Sequence, residues 1–317
     1  MTLKVGISAG AHTKTGIELI REAESLGVDS VWVPEFWGYD ALTPLAYLAA
    51  RTTRVRLATG IAQLGARTPA MLAMSAMSLQ ALSGGRFVLG IGVSGPQVME
   101  GWHGVEFTKP VQRTRETIEI IRQIARGDRL EHDGEVYQLP LPGGEGRSIR
   151  SAAQSVAVPI YVAALGPTNL AMTGALADGW IGNSFLPESA AVFFDPIRRG
   201  AEAAGRSLED LDLTVAVGLE FTDNVEEAAR RHARGYAFTF GAMGSSTHNF
   251  YNDAFSRQGF GDDVREVQRL WVQGDRQAAQ ERVPVDIGLK TNLLGTPDMV
   301  TKRLRLYREA GVTTLRV

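Results

Sequence analysis

Two periodicities alternate along the first third of this chain, and that alternation most restricts what it can fold into. Short runs apolar on both faces, at residues 3–8, 28–35, 55–62 and 86–93, are separated by helix-patterned stretches at 15–26, 43–52 and 69–82. The strand starts at 3, 28 and 55 repeat every 25 to 27 residues. A strand–helix repeat of that length implies parallel strands joined by crossover helices. Strands without an apolar–polar alternation fit a parallel sheet covered on both sides. Thr15 with Glu18 predicts a capping box opening the first helix.

The pattern continues after interruptions. Residues 110–126 form an amphipathic helix with Val111, Ile118, Ile121 and Ile124 on one side, and 131–137 read as a hairpin on an Asp133-Gly134 turn. Strands follow at 158–164, 178–183, 211–220 and 312–317, and helices at 168–177, 187–204, 225–236 and 297–310, with Thr296 as N-cap of the last. Eight strands and eight helices predict an α/β protein, a (β/α)8 TIM barrel in one domain over residues 1–317. The insertions fall at 94–109, 128–155 and 240–294, the last with a helix over 262–273 and the second with an exposed loop at 141–148.

Composition removes several function classes. The net charge of −2, from 33 basic and 35 acidic residues, leaves no basic footprint for nucleic acid. The chain has no Cys, so it has no thiolate nucleophile, disulfide or Cys-ligated metal. No apolar run reaches the ~18 residues of a membrane helix, and the first residues carry no signal-peptide core. These features predict a cytoplasmic protein without a membrane partner. His12, His103, His132, His232 and His248 make no ligand spacing, so no metal site is expected. His132 and His232 are expected at the surface. No Lys stands at a confident strand end, which disfavours Schiff-base chemistry.

In a barrel the chemistry sits at the C-terminal ends of the strands. Gly90, Gly92 and Gly95 in GIGVSG match the dinucleotide-binding spacing, but the first two lie inside a strand and the segment after them is not expected to be helical, so that reading is rejected. AALGPTN joins the fifth strand to its helix with Gly166 and Pro167 at the helix entrance, where free N–H groups could hold an anion; an ordinary βα turn with Pro at the first helical position is equally consistent. Gly60, late in the third strand, suits a close approach of backbone to a ligand. Glu35 ends the second strand and Glu220 the seventh. Glu35 is either an acid–base or ring-edge group, or a helix-cap and ion-pair partner. Trp37 and Tyr39 follow it on a loop that could wall a pocket, whereas Trp32 is expected in the core. In the insertions, Trp102, His103, Phe240, His248 and Tyr251 are the places to seek substrate contacts.

The segments VDSVWVPEFWGYDAL, RVRLATGIAQLGARTPAMLAMSAMSLQALSGGRFVLGIGVSGP, PIYVAALGPTNLAMTGALADGWIGN and YREAGVTTLRV resemble the luciferase-like monooxygenase superfamily, most closely its branch of deazaflavin-dependent oxidoreductases that use coenzyme F420. The resemblance implies a barrel with the cofactor ring at its top face, backed by a non-prolyl cis peptide that maps to Gly60-Ile61. It implies that Ile61, Ala62 and Gln63 line the ring, that Val93, Ser94 and Gly95 meet the ring or its side chain, and that Ala164, Gly166, Pro167 and Thr168 hold the cofactor phosphate. Glu35 maps to a polar position near the ring edge and is the candidate proton partner. Phe36 stands where the glucose-6-phosphate dehydrogenases of this branch carry a His, so their proton-transfer scheme does not carry over, and their basic sugar-phosphate pocket is not matched either, which together disfavour a sugar phosphate as substrate. The resemblance implies hydride transfer between coenzyme F420 and a small organic molecule by a homodimer. The alternatives are an FMN-dependent monooxygenase that needs oxygen and a reductase partner, a non-catalytic cofactor-binding relative, and a cofactor-free lyase or isomerase.

Overall fold

A computed structural model describes residues 2–244 and 249–317. The eight strands expected from the repeat close into a parallel barrel: β1 (Lys4–Ser8), β2 (Ser30–Val33), β3 (Arg56–Thr59), β4 (Phe87–Gly92), β5 (Ile160–Ala163), β6 (Gly179–Gly182), β7 (Asp212–Ala216) and β8 (Thr314–Arg316). They neighbour in the order β3-β2-β1-β8-β7-β6-β5-β4, and pairing of Leu57 with Phe87 and Ala58 with Val88 joins the two ends. The main helices on the outside are α1 (Lys14–Ser25), α2 (Leu42–Ala49), α3 (Pro69–Ser83), α4 (Pro110–Arg126), α5 (Pro167–Leu176), α6 (Ala191–Ala203), α7 (Val225–Ala242) and α8 (Pro297–Glu309).

Period-2 geometry splits each strand between two cores. Outward Val31, Leu57, Phe87, Leu89, Ile160, Val162, Trp180, Leu213 and Leu315 are buried against the helices. Inward Trp32, Ala58, Val88, Tyr161 and Ile181 form a separate cluster inside the barrel. Each buried Val, Leu, Ile or Phe among them contributes roughly 1.5–3 kcal/mol of apolar burial. The lower end of the interior is polar. Arg56 meets Asp212 Oδ2 and Tyr161 Oη, each at 3.1 Å, Tyr161 Oη donates to Asp212 at 2.9 Å, and the Thr313 and Thr314 hydroxyls donate to its other oxygen. Burial alone would raise the Asp212 pKa, but the Thr313 bond, the Arg56 charge and the remaining hydrogen bonds together hold it below the usual Asp value.

Several sequence expectations shift locally. Helix α1 is capped by Thr13, whose hydroxyl accepts from Gly16 N at 3.0 Å, rather than by Thr15. The seventh strand run is broken: Leu219–Phe221 leaves the barrel and pairs, parallel, with Leu293–Gly295. Glu220 therefore faces Arg231 and His232 instead of the barrel mouth, and His232, bonded to it at 3.1 Å, is half-buried rather than a surface residue. Residues 187–204 divide into a 3-10 turn, Pro187–Ser189, and α6. Pro96–Met99 is one helical turn in a segment expected to have none.

In the second insertion Asp133 pairs with Gln138, so the hairpin turns over four residues. Glu116 of α4 fastens that turn by accepting from the backbone N–H groups of Glu135, Val136 and Tyr137, and His132, half-buried rather than at the surface, lies 3.4 Å from it. The third insertion holds helices Phe250–Phe255, Gly261–Val272, Arg276–Arg282 and Val285–Lys290. They pack with α7 and Leu186 around Phe240, Phe255, Val264 and Ile287. Phe240 is thus a core residue. Among the described residues no helix is long and apolar enough to cross a membrane.

Candidate active site

The strand ends at the top of the barrel assemble most of the candidate residues. Strand β3 stops at Thr59, the Gly60-Ile61 peptide is cis, and pairing to β4 resumes at Ala62 and Gln63. Thr59 Oγ1 spans the break, donating to Gly90 O at 2.7 Å and accepting from Gly90 N at 2.8 Å. Gly90 has no alternative here, because a Cβ would lie 2.1 Å from Thr59 O. Ile61 projects to the end of β4, its Cδ1 2.9 Å from the Cβ position of Gly92, which in turn lies 3.4 Å from the Cβ of Ala163. The ends of β3, β4 and β5 thus converge on Ile61. Beyond β4, Ser94 has left-handed backbone at φ 59°, uncommon for a residue with a side chain and concentrated at functional sites.

Glu35, at the end of β2, is buried and fully engaged. Arg67 donates to both its oxygens at 2.8 Å, Ala41 N to one at 3.1 Å and Gln63 N to the other at 3.2 Å. Hydrogen bonding to Glu35 is the main reason the Arg67 pKa is raised. The bidentate pair matches the ion-pair alternative for Glu35: its two oxygens accept four hydrogen bonds and hold the loop in place. It also positions Gln63, whose Nε2 donates to Glu35 O at 3.0 Å and Phe36 O at 3.1 Å. That leaves Gln63 Oε1 toward His103 Nε2 at 2.6 Å. Because this oxygen only accepts, Nε2 is the donating nitrogen of His103, which leaves Nδ1 for another partner.

The turn after β5 has the chemistry of an anion site. Gly166 caps α5 without a side-chain hydrogen bond, so the first N–H groups of that helix stay available. The third insertion adds a cation there: Arg257 donates to Leu165 O at 2.6 Å and lies over the Phe193 ring. Its neighbour Gln258 bonds Leu186 N and Ser184 O, so this insertion clamps the loops after both β5 and β6.

Other candidates lie apart. Tyr39 is 70% exposed and stacks on His12 with ring centroids 4.3 Å apart. Both rings line a cavity of about 540 Å³ between α1 and α2, with Lys14, Arg21, Tyr47 and Arg51, outside the barrel mouth. Trp37 and Trp102 are exposed, Tyr251 is half-buried in the third insertion, and His248 lies outside the described residues. Among the described residues no group of three His, Asp or Glu side chains comes together as a metal site.

Sequence reasoning passed over three arginines, Arg67, Arg257 and Arg316. Arg67 stands in the quoted run TGIAQLGARTP, but nothing in the pattern says which carboxylate it meets. Arg257 belongs to an insertion without a repeat to place it. Arg316 is inward-facing by strand alternation alone, a signal available from the sequence. Its guanidinium lies over the Trp32 ring at 5.0 Å, and Nη1 is 3.0 Å from the Cβ position of Gly60.

The luciferase-like monooxygenase family model matches residues 2–314. The chain belongs to this family. A coenzyme F420-dependent oxidoreductase, so named, of Mycobacterium tuberculosis is 37% identical over 322 aligned positions, covering 99% of this chain and 93% of the relative. A 5,10-methylenetetrahydromethanopterin reductase of Archaeoglobus fulgidus is 30% identical over 300 positions, 93% of this chain and 86% of that protein. Among solved structures, the coenzyme F420-dependent tetrahydromethanopterin reductase of Methanopyrus kandleri superposes with a TM-score of 0.81 at 25% identity, covering 100% of this chain and 93% of that one. The residues present suit a ring-and-phosphate cofactor of the kind this family binds: an uncapped helix N-terminus, glycines where a Cβ would intrude, and a buried guanidinium, Arg316, whose Nε has no hydrogen-bond partner among the described residues.

Proposed function

We propose that the protein is a coenzyme F420-dependent oxidoreductase that transfers a hydride between the deazaflavin and a small organic substrate. The observation that carries this reading is the convergence of Gly60, Ile61, Gly92 and Ala163 at the ends of β3, β4 and β5, in a chain similar along its whole length to proteins named for that coenzyme. When bound, the deazaflavin supplies a ring carbon that accepts or releases a hydride, because it has carbon where a flavin has its reactive nitrogen.

The chain's own residues supply position and polarity. Gly60, Ile61, Ala62 and Gln63 would back the ring, and Val93, Ser94 and Gly95 would border it. Ala164, Gly166, Pro167 and Thr168 would hold the phosphate through the free N–H groups of α5, with Arg257 adding positive charge behind the turn. Glu35 and Arg67 fix the loop and, through the bond to Gln63 N, the register of the ring-backing segment. His103 keeps a proton on Nε2 toward Gln63 and offers Nδ1, which makes it a better proton partner than Glu35. The substrate would enter beside His103, under the loops that carry Trp37 and Trp102.

The test is anaerobic incubation of purified protein with reduced coenzyme F420 and a panel of small carbonyl and enone compounds, followed by the coenzyme absorbance. Substrate-dependent reoxidation without oxygen is expected. Preferential binding of FMN with oxygen consumption would instead assign the chain to the oxygen-using side of the family.

A further inference from the structure

Arg316 is a buried guanidinium inside the barrel that has no hydrogen-bonded or ion-pair partner among the described residues. It closes β8, points inward, and is 7% exposed. Among the described residues it makes no ion pair, and its Nε is buried without a hydrogen-bond partner. The acid inside the barrel, Asp212, is engaged at the opposite end by Arg56, Tyr161, Thr313 and Thr314. What the guanidinium meets is the face of Trp32 at 5.0 Å and, against Nη1, Gly60. Burial pushes its pKa down to about 10, so the group remains charged at neutral pH. A buried charge is costly unless paired, and a cation–π contact compensates only part of that cost. The missing counter-charge is therefore to be sought in a ligand, and Arg316 lies against the first residue of the segment assigned to back the cofactor ring.

We propose that Arg316 is the counter-charge for an ionised cofactor ring, and that it makes this pocket select a deazaflavin whose ring is negatively charged over the neutral ring of oxidised FMN. This rests on the cofactor assignment made above. The deazaflavin of coenzyme F420 carries a phenol-like hydroxyl conjugated with its pyrimidine carbonyls, so its negative charge is spread across the ring to the carbonyl edge. Oxidised flavin has no such hydroxyl. A guanidinium enclosed in low dielectric distinguishes the two by charge, where shape cannot. Gly60 serves the same end, since a side chain there would press on Nη1.

The experiment is a pH titration of the visible absorbance of coenzyme F420, free and bound to the purified full-length protein, to Arg316→Met and to Arg316→Lys. Bound to the unaltered protein, the ring should ionise more readily than in solution by at least tenfold in the equilibrium constant. Arg316→Lys should keep most of that shift and Arg316→Met should lose it, with FMN affinity unchanged in both. A bound ring that titrates like the free one, or a shift that survives in Arg316→Met, overturns the proposal. Should Arg316→Met fail to fold, the titration of the unaltered protein still decides, because the absence of a shift there is sufficient to reject it. Failure of the unaltered protein to bind coenzyme F420 would overturn the cofactor assignment itself, an outcome distinct from normal binding without a shift.

Discussion

Glu35 and Arg316 show opposite uses of a buried charge at the barrel mouth. Glu35 has every oxygen position engaged, and removing one member of the pair leaves the other unsatisfied. Glu35→Gln and Arg67→Met should each lower stability by about 2–3 kcal/mol. In urea unfolding the double variant should lose much less than the sum of the two. A loss of turnover in Glu35→Gln at unchanged stability would return the carboxylate to a proton-transfer role. Arg316 is the converse: it is desolvated with no ion pair among the described residues, and the Trp32 ring offsets only part of that cost to the folded state. Arg316→Met should leave the midpoint of thermal unfolding unchanged or raise it, and a drop of several degrees would mean that this guanidinium is structural.

The elements respond to single glycines and acids in ways their packing sets. At Gly90 an added Cβ meets backbone, Thr59 O, which cannot move without opening the β3–β4 seam. At Gly92 it meets the flexible end of Ile61. Gly90→Ala should therefore destabilise the barrel strongly, by about 3 kcal/mol. Gly92→Ala should cost less stability but displace Ile61 and weaken cofactor binding; equal effects of the two on unfolding would contradict this account of the seam. The polar lower end carries a pH dependence. Asp212 titrates below its ordinary value in the fold, so the stability it contributes is present above that ordinary value and is lost as the pH falls through the depressed one. Glu116, held below its usual range by Gln112 and the hairpin N–H groups against the opposing effect of burial, acts with the same sign. Asp212→Asn should flatten the acid limb of the stability profile, and an unchanged limb would exclude this network as its source.

These elements were unevenly legible in the sequence. The barrel strands were readable because runs apolar on both faces have few other uses. The break at Val217 and Gly218 was not, because LDLTVAVGLE is equally apolar before and after the chain leaves the barrel. Gly60 and the uncapped entrance at Gly166 could be found because backbone conformation leaves a mark in residue type. Glu35 could be located but its role could not, since the choice between base and ion pair depends on Arg67, 32 residues away. The clamp by Arg257 and Gln258 depends on tertiary packing of an insertion with no repeat.

At the scale of the whole molecule, the barrel fixes a small set of backbone positions at its mouth and the insertions complete the site around them. The first and third insertions meet over the top: Gln97 reaches Gly244 O, and Phe107 lies against Phe250 with ring centroids 6.4 Å apart. On the proposed reading, substrate choice would belong to the insertions and cofactor choice to the strand ends. The claim that joins these scales is that the strand ends hold an anionic deazaflavin. It is tested most directly by titrating the protein's fluorescence with coenzyme F420 and, separately, with FMN. The account predicts saturable quenching by coenzyme F420 at micromolar concentration or below, with FMN at least tenfold weaker. Equal or tighter binding of FMN, or quenching by neither, would contradict it.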